Sequence, residues 1–150
     1  MNLILCFLLV LGGLASSRAA DQPIDCYVQL VRGTDDAKPR NPAHKEIGPA
    51  LSKRLRPVFR WDHYWENQRE KLVLTPGRPS RIHLKNGRDL EVEWLKGDHI
   101  QVRVFHDKQM TRKVTLRNTD AMMAILGTEK DENDSWFVVV RRSKPKDTEL

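Results

Sequence analysis

The residues best suited to bind a ligand lie in one short aromatic stretch, from Phe59 to Trp65. Four of its seven residues are aromatic, and the other three are Arg, Asp and His. Aromatic rings offer large, rigid surfaces with polar edges, so this stretch could stack on a sugar or hold a peptide. We predict a ligand-binding site formed by five residues: Arg60, Trp61, His63, Tyr64 and Trp65. The alternative is that the rings seal the core, because aromatic residues dominate cores as well as interfaces.

Residue types that carry catalysis or bind metals form no recognisable motif in this chain. The five histidines are scattered, with neither the i, i+4 spacing nor the close spacing of a zinc site; they are His44, His63, His83, His99 and His106. The chain has no glycine-rich phosphate loop and no Gly-x-Ser-x-Gly elbow. Cys26 alternates with apolar residues, which is typical of a buried thiol. The sequence therefore predicts no catalytic residue, no metal site and no cofactor.

Basic residues are concentrated in two places, and the chain carries a net charge of +6. We predict a basic surface at Lys53, Arg54 and Arg56, and a second basic group follows near the end of the sequence, at Arg141, Arg142, Lys144 and Lys146. Such surfaces attract polyanions, so an acidic envelope protein, a glycan or a phosphate headgroup would be a suitable partner. The alternative is an ordinary solvated surface, because charged residues are usually exposed.

The amino terminus predicts export. Residues Leu3 to Leu14 are apolar, and small residues with Ser17-Arg18-Ala19 follow, which fits a signal peptide over residues 1–19. The apolar run is shorter than the ~20 helical residues that span a bilayer. We therefore expect a periplasmic or secreted protein that is not membrane-spanning after cleavage and binds no nucleic acid. A single β-rich domain is expected over residues 20–145, with a disordered tail at 146–150.

Between Arg81 and Arg142, apolar residues recur at every second position, which predicts a series of short strands. The apolar residues are all even-numbered: Ile82, Leu84, Leu90, Val92, Trp94, Ile100, Val102, Val104, Val114, Leu116, Trp136, Val138 and Val140. A slip of one residue between strands would turn this whole apolar face to water. The hairpin loops must therefore contain an odd number of residues.

Two three-residue loops satisfy this requirement, Lys85-Asn86-Gly87 with a left-handed Gly87 and Lys96-Gly97-Asp98. The register that they set pairs apolar residues across neighbouring strands: Ile82 with Leu90, Leu90 with Val104, Val92 with Val102 and Trp94 with Ile100. The same register places Glu91 opposite Arg103 on the outer face. We expect an exposed ion pair there, and we expect the substitution Glu91→Lys to be tolerated.

The first half of the chain supplies a strand and a helix. Alternation predicts a strand from Ile24 to Arg32 that ends at Gly33, followed by a long polar loop from Thr34 to Glu46. A short helix packed on the sheet follows, with Pro49 in its first turn and Pro57 limiting its end. Its apolar stripe consists of Ile47, Leu51, Leu55 and Val58.

Two later segments are less regular. Residues 121–126 could form a short helix or a strand, and we favour the strand because six residues is a usual strand length. The acidic segment from Glu129 to Asp134 predicts a solvated hairpin turn. Together these elements predict a mainly β fold, α+β by strict count: an antiparallel, sandwich-like meander of about seven strands with one short helix. An open β-barrel is the alternative.

Several short strings in the chain resemble a pattern found in small exported bacterial proteins of uncharacterised function. They are Leu30-Val31-Arg32-Gly33-Thr34-Asp35, Phe59-Arg60-Trp61 with Tyr64, Ile125-Leu126-Gly127, and Ser135-Trp136-Phe137-Val138-Val139-Val140. The resemblance covers most of the chain after the signal peptide. It implies an exported, β-rich domain and supplies no activity, cofactor or site.

We predict that the protein is an exported, non-enzymatic binding or interaction module of the bacterial envelope. The alternative is a small hydrolase or hydrolase inhibitor that uses the aromatic stretch 59–65 as a cleft. Convergence of Trp61, Trp65 and His63 with an acid on an open cleft would favour the alternative, whereas buried rings would count against it.

Overall fold

The computed structural model describes residues 22–130 and 133–146, and the predicted signal peptide and residues 147–150 of the predicted tail lie outside them. The described chain forms nine strands and one helix: β1 (Ile24–Thr34), β2 (Lys45–Glu46), α1 (Pro49–Phe59), β3 (His63–Leu74), β4 (Ser80–His83), β5 (Asp89–Leu95), β6 (His99–His106), β7 (Gln109–Arg117), β8 (Met123–Lys130) and β9 (Asp134–Arg141). The strands form a five-stranded sheet, β2-β3-β1-β9-β8, and a four-stranded sheet, β4-β5-β6-β7. All pairings within the two sheets are antiparallel.

The main core lies between the two sheets, which confirms the predicted sandwich-like, mainly β fold. The even-numbered apolar residues of β5 and β6 meet Cys26, Val28 and Leu30 of β1 and Val138 and Val140 of β9 in one buried cluster. The strands form two separate sheets and not a barrel. The preference for a strand over residues 121–126 is confirmed, although β8 begins only at Met123.

The hairpins of the four-stranded sheet have the predicted register. Ile82 pairs with Leu90, and Val92 pairs with Val102. Gly87 and Gly97 have φ angles of 78° and 77°, the left-handed conformation that glycine adopts without a steric penalty. Each of these two loops therefore contains three residues, as the parity argument requires. The loop between β6 and β7 has only two residues, and the extra residue Thr111 in β7 restores the alignment of the apolar side chains.

The helix α1 covers the other face of the five-stranded sheet, where Leu51 and Leu55 pack on Val31 and Val139 in a second buried cluster. Pro57 lies inside the last turn, and the helix ends at Phe59. The prediction that Val58 is buried is wrong, since its side chain is 67% exposed. Seven residues place Val58 within about 20° of Leu51 around a helix of 3.6 residues per turn. The face is as predicted, but the space beneath the last turn is open.

The first strand continues through Gly33 to Thr34, so the prediction that Gly33 ends it is wrong. A Cβ atom at Gly33 would lie only 2.4 Å from Cδ1 of Trp61. The glycine therefore permits the close approach of an indole ring to the sheet. The predicted loop from Thr34 to Glu46 is also shorter than expected, because the two-residue strand β2 pairs with β3 at its end.

Three strands carry one extra residue that has no partner in the register: Asn67 in β3, Thr111 in β7 and Thr128 in β8. Each is a β-bulge, and a bulge reverses which of the following residues face the core. In β3, Leu72 and Leu74 belong to the core between the sheets, whereas Tyr64 belongs to the cluster under α1. The bulges at Asn67 and Thr128 therefore reshape one end of the five-stranded sheet.

No helix in the described part of the chain is both long and apolar enough to traverse a bilayer.

Candidate functional site

The predicted aromatic site is divided between two faces of β3, because neighbouring residues of a strand point in opposite directions. Tyr64 lies opposite Gly33 and is buried beneath α1, where burial raises the pKa of its hydroxyl. Trp65 lies opposite Arg32 and is also buried. The indole Nε1 of Trp65 donates a hydrogen bond of 3.3 Å to the backbone carbonyl of Asp36. These two rings serve the packing of the sheet and present no binding surface.

His63 shares a face of β3 with Trp65, and their rings are stacked with centroids 6.1 Å apart. Its Nδ1 lies 3.4 Å from a carboxylate oxygen of Glu46. Within residues 22–130 and 133–146, no group of three or more His, Cys, Asp or Glu side chains could hold a metal ion. His63 thus has a single acidic neighbour and an aromatic neighbour.

Arg60 and Trp61 line an open groove at the carboxyl end of α1, which we call the helix-end groove. Two cavities form it and share Phe59, Lys130 and Ser135. The first has a volume of about 380 Å³ and is also lined by Asp35, Val58, Arg60 and Trp61. The second has a volume of about 420 Å³ and is also lined by Arg112, Gly127, Thr128, Glu129 and Phe137. Of the five predicted ligand-binding residues, Arg60 and Trp61 reach this groove.

The floor of the helix-end groove consists of aromatic rings. The rings of Phe59 and Phe137 lie with centroids 4.1 Å apart, in a tilted arrangement that aromatic pairs favour. Trp61 packs against the backbone of Gly33. Between them, Arg60 adopts a left-handed conformation with φ 58° and closes the helix by donating its backbone N–H to the carbonyl of Arg56 at 3.2 Å. The sharp end of the helix leaves the rings of Phe59 and Trp61 partly exposed, whereas Phe137 is buried.

The bulge at Thr128 determines which side chains of β8 reach the helix-end groove. Beyond the bulge Lys130 lies opposite Ser135, and both line the groove. The Thr128 hydroxyl donates to the backbone carbonyl of Trp136 at 3.3 Å, which holds the bulge in place. Without the extra residue, Lys130 would point to the opposite face of the sheet.

The predicted basic surface, Lys53, Arg54 and Arg56, is exposed along α1. Arg56 also binds within the chain, because its Nη2 donates to the backbone carbonyl of Asp62 at 3.1 Å. Burial and then the charges of Arg54 and Arg69 lower the pKa of Arg141. Arg54 of the basic surface and Arg141 of the second basic group therefore lie close enough for their charges to interact.

A buried ionic cluster at one end of the sandwich is the feature that sequence reasoning missed. Arg32 is only 1% exposed and donates to Asp134 at 2.6 Å and to Asp36 at 2.9 Å, and Arg40 also binds Asp134. We call these four residues the end cluster. The predicted exposed turn from Glu129 to Asp134 is wrong for Asp134, which is fully buried, while residues 131 and 132 lie outside the described residues.

The electrostatics of the end cluster favour a charged carboxylate. Burial opposes ionisation of Asp134, but hydrogen bonds from Arg32 and Thr34 and the charges of Arg32 and Arg40 hold the pKa of its carboxyl below the usual value. One signal in the sequence could have revealed the cluster. Arg32 follows the apolar residues Leu30 and Val31 in a strand, and a buried guanidinium requires a carboxylate partner.

A second ionic cluster covers the outer face of the four-stranded sheet, and we call it the outer-face cluster. Glu91 accepts a hydrogen bond from Arg81 and forms an ion pair with Arg103, and Arg103 also donates to Glu93 at 2.6 Å. The predicted pairing of Glu91 with Arg103 is confirmed. The expectation that Glu91 is exposed is wrong, since it is 3% exposed beneath its two arginine partners.

Cys26 is free and buried in the core between the sheets. Burial raises the pKa of its thiol to about 11, so the thiolate form that nucleophilic attack requires is scarce at neutral pH. The side chain therefore acts as a small apolar residue of the core.

The chain matches no protein-family model, no curated protein sequence and no solved structure.

Proposed function

We propose that the protein is an exported, non-enzymatic binding module of the bacterial envelope and that its ligand occupies the helix-end groove. The observation that carries this proposal is the exposure of Val58 at the end of the apolar stripe of α1, directly beside Phe59 and Trp61. Contiguous exposed apolar and aromatic side chains around a concave surface are typical of binding sites.

The charges around the groove favour an acidic partner. Arg60, Lys130 and Arg112 line it together with two acids, Asp35 and Glu129. The sequence as a whole carries a net charge of +6, which raises the rate of encounter with polyanions. An acidic envelope protein, a glycan or a phosphate headgroup is the partner that this chemistry supports.

The alternative of a hydrolase or hydrolase inhibitor required Trp61, Trp65 and His63 to share one cleft. Trp61 lines the groove, whereas Trp65 is buried and His63 stacks on Trp65. No observation in the described residues favours the alternative over the binding module.

Two variants with the same change in charge test the assignment to the groove. Arg60→Ser with Lys130→Ser removes two cations from the groove, and Lys53→Ser with Arg54→Ser removes two cations from the basic surface. Binding of the purified protein to envelope fractions is measured for both variants at low and at high salt. We expect the groove variant to bind about tenfold more weakly at low salt and the control to bind like the unmodified protein.

Three results would overturn the proposal in distinct ways. A loss of binding in the control alone would move the site to the basic surface. Salt-independent binding, or none by the unmodified protein, would argue against an acidic envelope partner.

Export is tested separately. Mass spectrometry of protein from its native host should find an amino terminus at Ala20 and no lipid on Cys26, and an intact Met1 would contradict export.

A further inference from the structure

A separate cavity of about 250 Å³ lies at the amino end of α1, and we call it the amino-end cavity. Its lining includes Gln29, Ala50, Leu51, Arg141, Pro145 and Lys146, so it shares no residue with the helix-end groove. The segment ending at Lys146 lies close to the start of the helix, because a Cβ atom at Gly48 would be 2.7 Å from the Lys146 carbonyl oxygen. The absence of a side chain at Gly48 lets this segment form one wall.

The start of α1 offers hydrogen-bond donors to the amino-end cavity. Gly48 is the N-cap residue and has no side chain to cap the helix, and the first turn contains no acidic residue. Within a helix the first N–H groups lack intrahelical acceptors, and the helix dipole makes this end positive. The backbone N–H groups of Ala50 and Leu51 are therefore available to an anion.

Arg141 adds a positive charge to the same cavity. Its Nε and Nη2 donate to the Ser143 hydroxyl, at 3.0 Å and 2.9 Å. Burial, and then the charges of Arg54 and Arg69, lower its pKa, and Arg69 is itself paired with Glu66 at 2.9 Å. An anion placed beside Arg141 would relieve this repulsion between like charges.

Gln29 supplies the observation that points to a particular kind of anion. Its side chain is buried, with the residue 2% exposed, and its Nε2 donates to Glu66, which fixes the orientation of the amide. The other amide atom, Oε1, is buried and accepts no hydrogen bond from any described residue. A buried acceptor without a donor carries a desolvation cost, which a hydrogen bond from a ligand would offset. The cavity therefore combines donors for an anion with one acceptor that lacks a hydroxyl or amine.

We infer that the amino-end cavity binds a carboxylated sugar unit, a hexuronate, which goes beyond the proposed function at the helix-end groove. The carboxylate accepts hydrogen bonds from the N–H groups of Ala50 and Leu51 and pairs with Arg141. A ring hydroxyl donates to Oε1 of Gln29, and the C–H face of the sugar packs on Pro145. The volume lies below the range of about 300–1,000 Å³ for drug-sized ligands, which suits a single sugar unit.

Three small probes separate the parts of this recognition. The purified protein is titrated with glucuronate, with acetate and with glucose, and backbone and side-chain amide shifts are followed by NMR. We expect millimolar binding of glucuronate with shifts at Ala50, Leu51 and the Gln29 amide. Acetate lacks the hydroxyls and glucose lacks the charge, so each should bind about tenfold more weakly. Inorganic phosphate that binds as tightly as glucuronate would overturn the assignment to a sugar acid.

Variants assign each group in the cavity. Gln29→Leu should weaken glucuronate several-fold and leave acetate unchanged, because the variant loses the acceptor for the hydroxyl, whereas the donor that it also loses serves Glu66 and not the ligand. Arg141→Gln should weaken glucuronate and acetate alike, and Arg54→Gln, a control for charge outside the lining, should affect neither strongly. Amide spectra verify that each variant is folded. Unchanged glucuronate binding in folded Gln29→Leu, or no shift at Ala50 and Leu51 in the unmodified protein, would refute the inference.

Discussion

The end cluster and the outer-face cluster both place a buried carboxylate between two arginines, yet a pairing was predicted in only one of them. In the outer-face cluster, Arg81 and Glu91 are ten residues apart and belong to neighbouring strands of a hairpin. In the end cluster, Arg32 and Asp134 are 102 residues apart and meet through the packing of β1 against β9. Local pairing follows from hairpin parity, whereas the distant pairing depends on the order of strands in the sheet.

The two clusters also differ in the access of their cations to water. Arg81 is largely exposed and can leave Glu91 for solvent, whereas Arg32 is enclosed with Asp134. A buried charge that loses its partner keeps the full cost of desolvation, and an exposed one does not. The clusters should therefore respond differently to substitution, acid and removal of a partner.

The largest effect is expected for Asp134→Leu, which leaves the guanidinium of Arg32 buried without its closest carboxylate. Breaking a buried ion pair in this way costs about 3–5 kcal/mol of unfolding free energy. Urea denaturation followed by tryptophan fluorescence measures the change. The double variant Arg32→Met with Asp134→Leu serves as the control and should recover most of the loss, since it removes both charges. A double variant no more stable than Asp134→Leu would show that the loss arises from packing.

A smaller effect is expected for Glu91→Lys, which sets a third cation beside Arg81 and Arg103. We expect a loss of about 1–3 kcal/mol, because a charged hydrogen bond and an ion pair are lost while Arg81 can turn to water. This replaces the expectation from the sequence that the substitution is tolerated. Glu91→Gln keeps an acceptor and should lose less. Equal stability of Glu91→Lys and the unmodified protein would show that this carboxylate is effectively solvated.

The dependence of stability on pH tests the end cluster, and this test requires no substitution in the outer-face cluster. The pKa of Asp134 is lower in the folded protein, so its contribution to stability is complete above about pH 4, the usual value for unfolded Asp, and is lost as pH falls through the folded value. Compared with the double variant Arg32→Met with Asp134→Leu, the unmodified protein should lose up to about 1.4 kcal/mol more per pH unit in that window. Parallel pH profiles for the two proteins would contradict the lowered pKa.

The smallest effect is expected for an exposed pair, Lys71 with Asp25, whose charged atoms lie 2.8 Å apart. Both side chains are about half exposed, so water and salt screen their attraction. Asp25→Asn should leave the melting temperature unchanged within error. A measurable loss would mean that this pair belongs with the buried clusters and not with the solvated surface.

The sequence predicted the four-stranded sheet almost completely, because alternation and turn chemistry act over a few residues. Leu90, Val92 and Trp94 lie where parity requires, and Gly87 and Gly97 have the left-handed conformations that the loops need. The five-stranded sheet was less accessible. Its bulges at Asn67 and Thr128 reverse the alternation within β3 and β8, and no turn residue signals them.

The same reasoning explains which of the predicted residues reach the helix-end groove. Arg60 and Trp61 line it, and the composition of the aromatic stretch had drawn attention to both. Tyr64 and Trp65 belong to the same stretch, yet strand alternation and the nearby bulge place them in the interior. Lys130 and Ser135, which also line the groove, belong to the distant hairpin of β8 and β9. Their position in the groove depends on the register between these two strands.

The bulges have a further consequence for solubility. β7 and β8 are edge strands of the two sheets, and each carries one bulge, at Thr111 and at Thr128. The unpaired N–H and C=O groups of a regular edge strand can pair with a strand of another copy, and a bulge interrupts that row of groups. The remaining edges are β4, with four residues, and β2, with two. The bulges, which the alternation of the sequence did not reveal, thus interrupt two edges at which copies of a β-rich chain could pair.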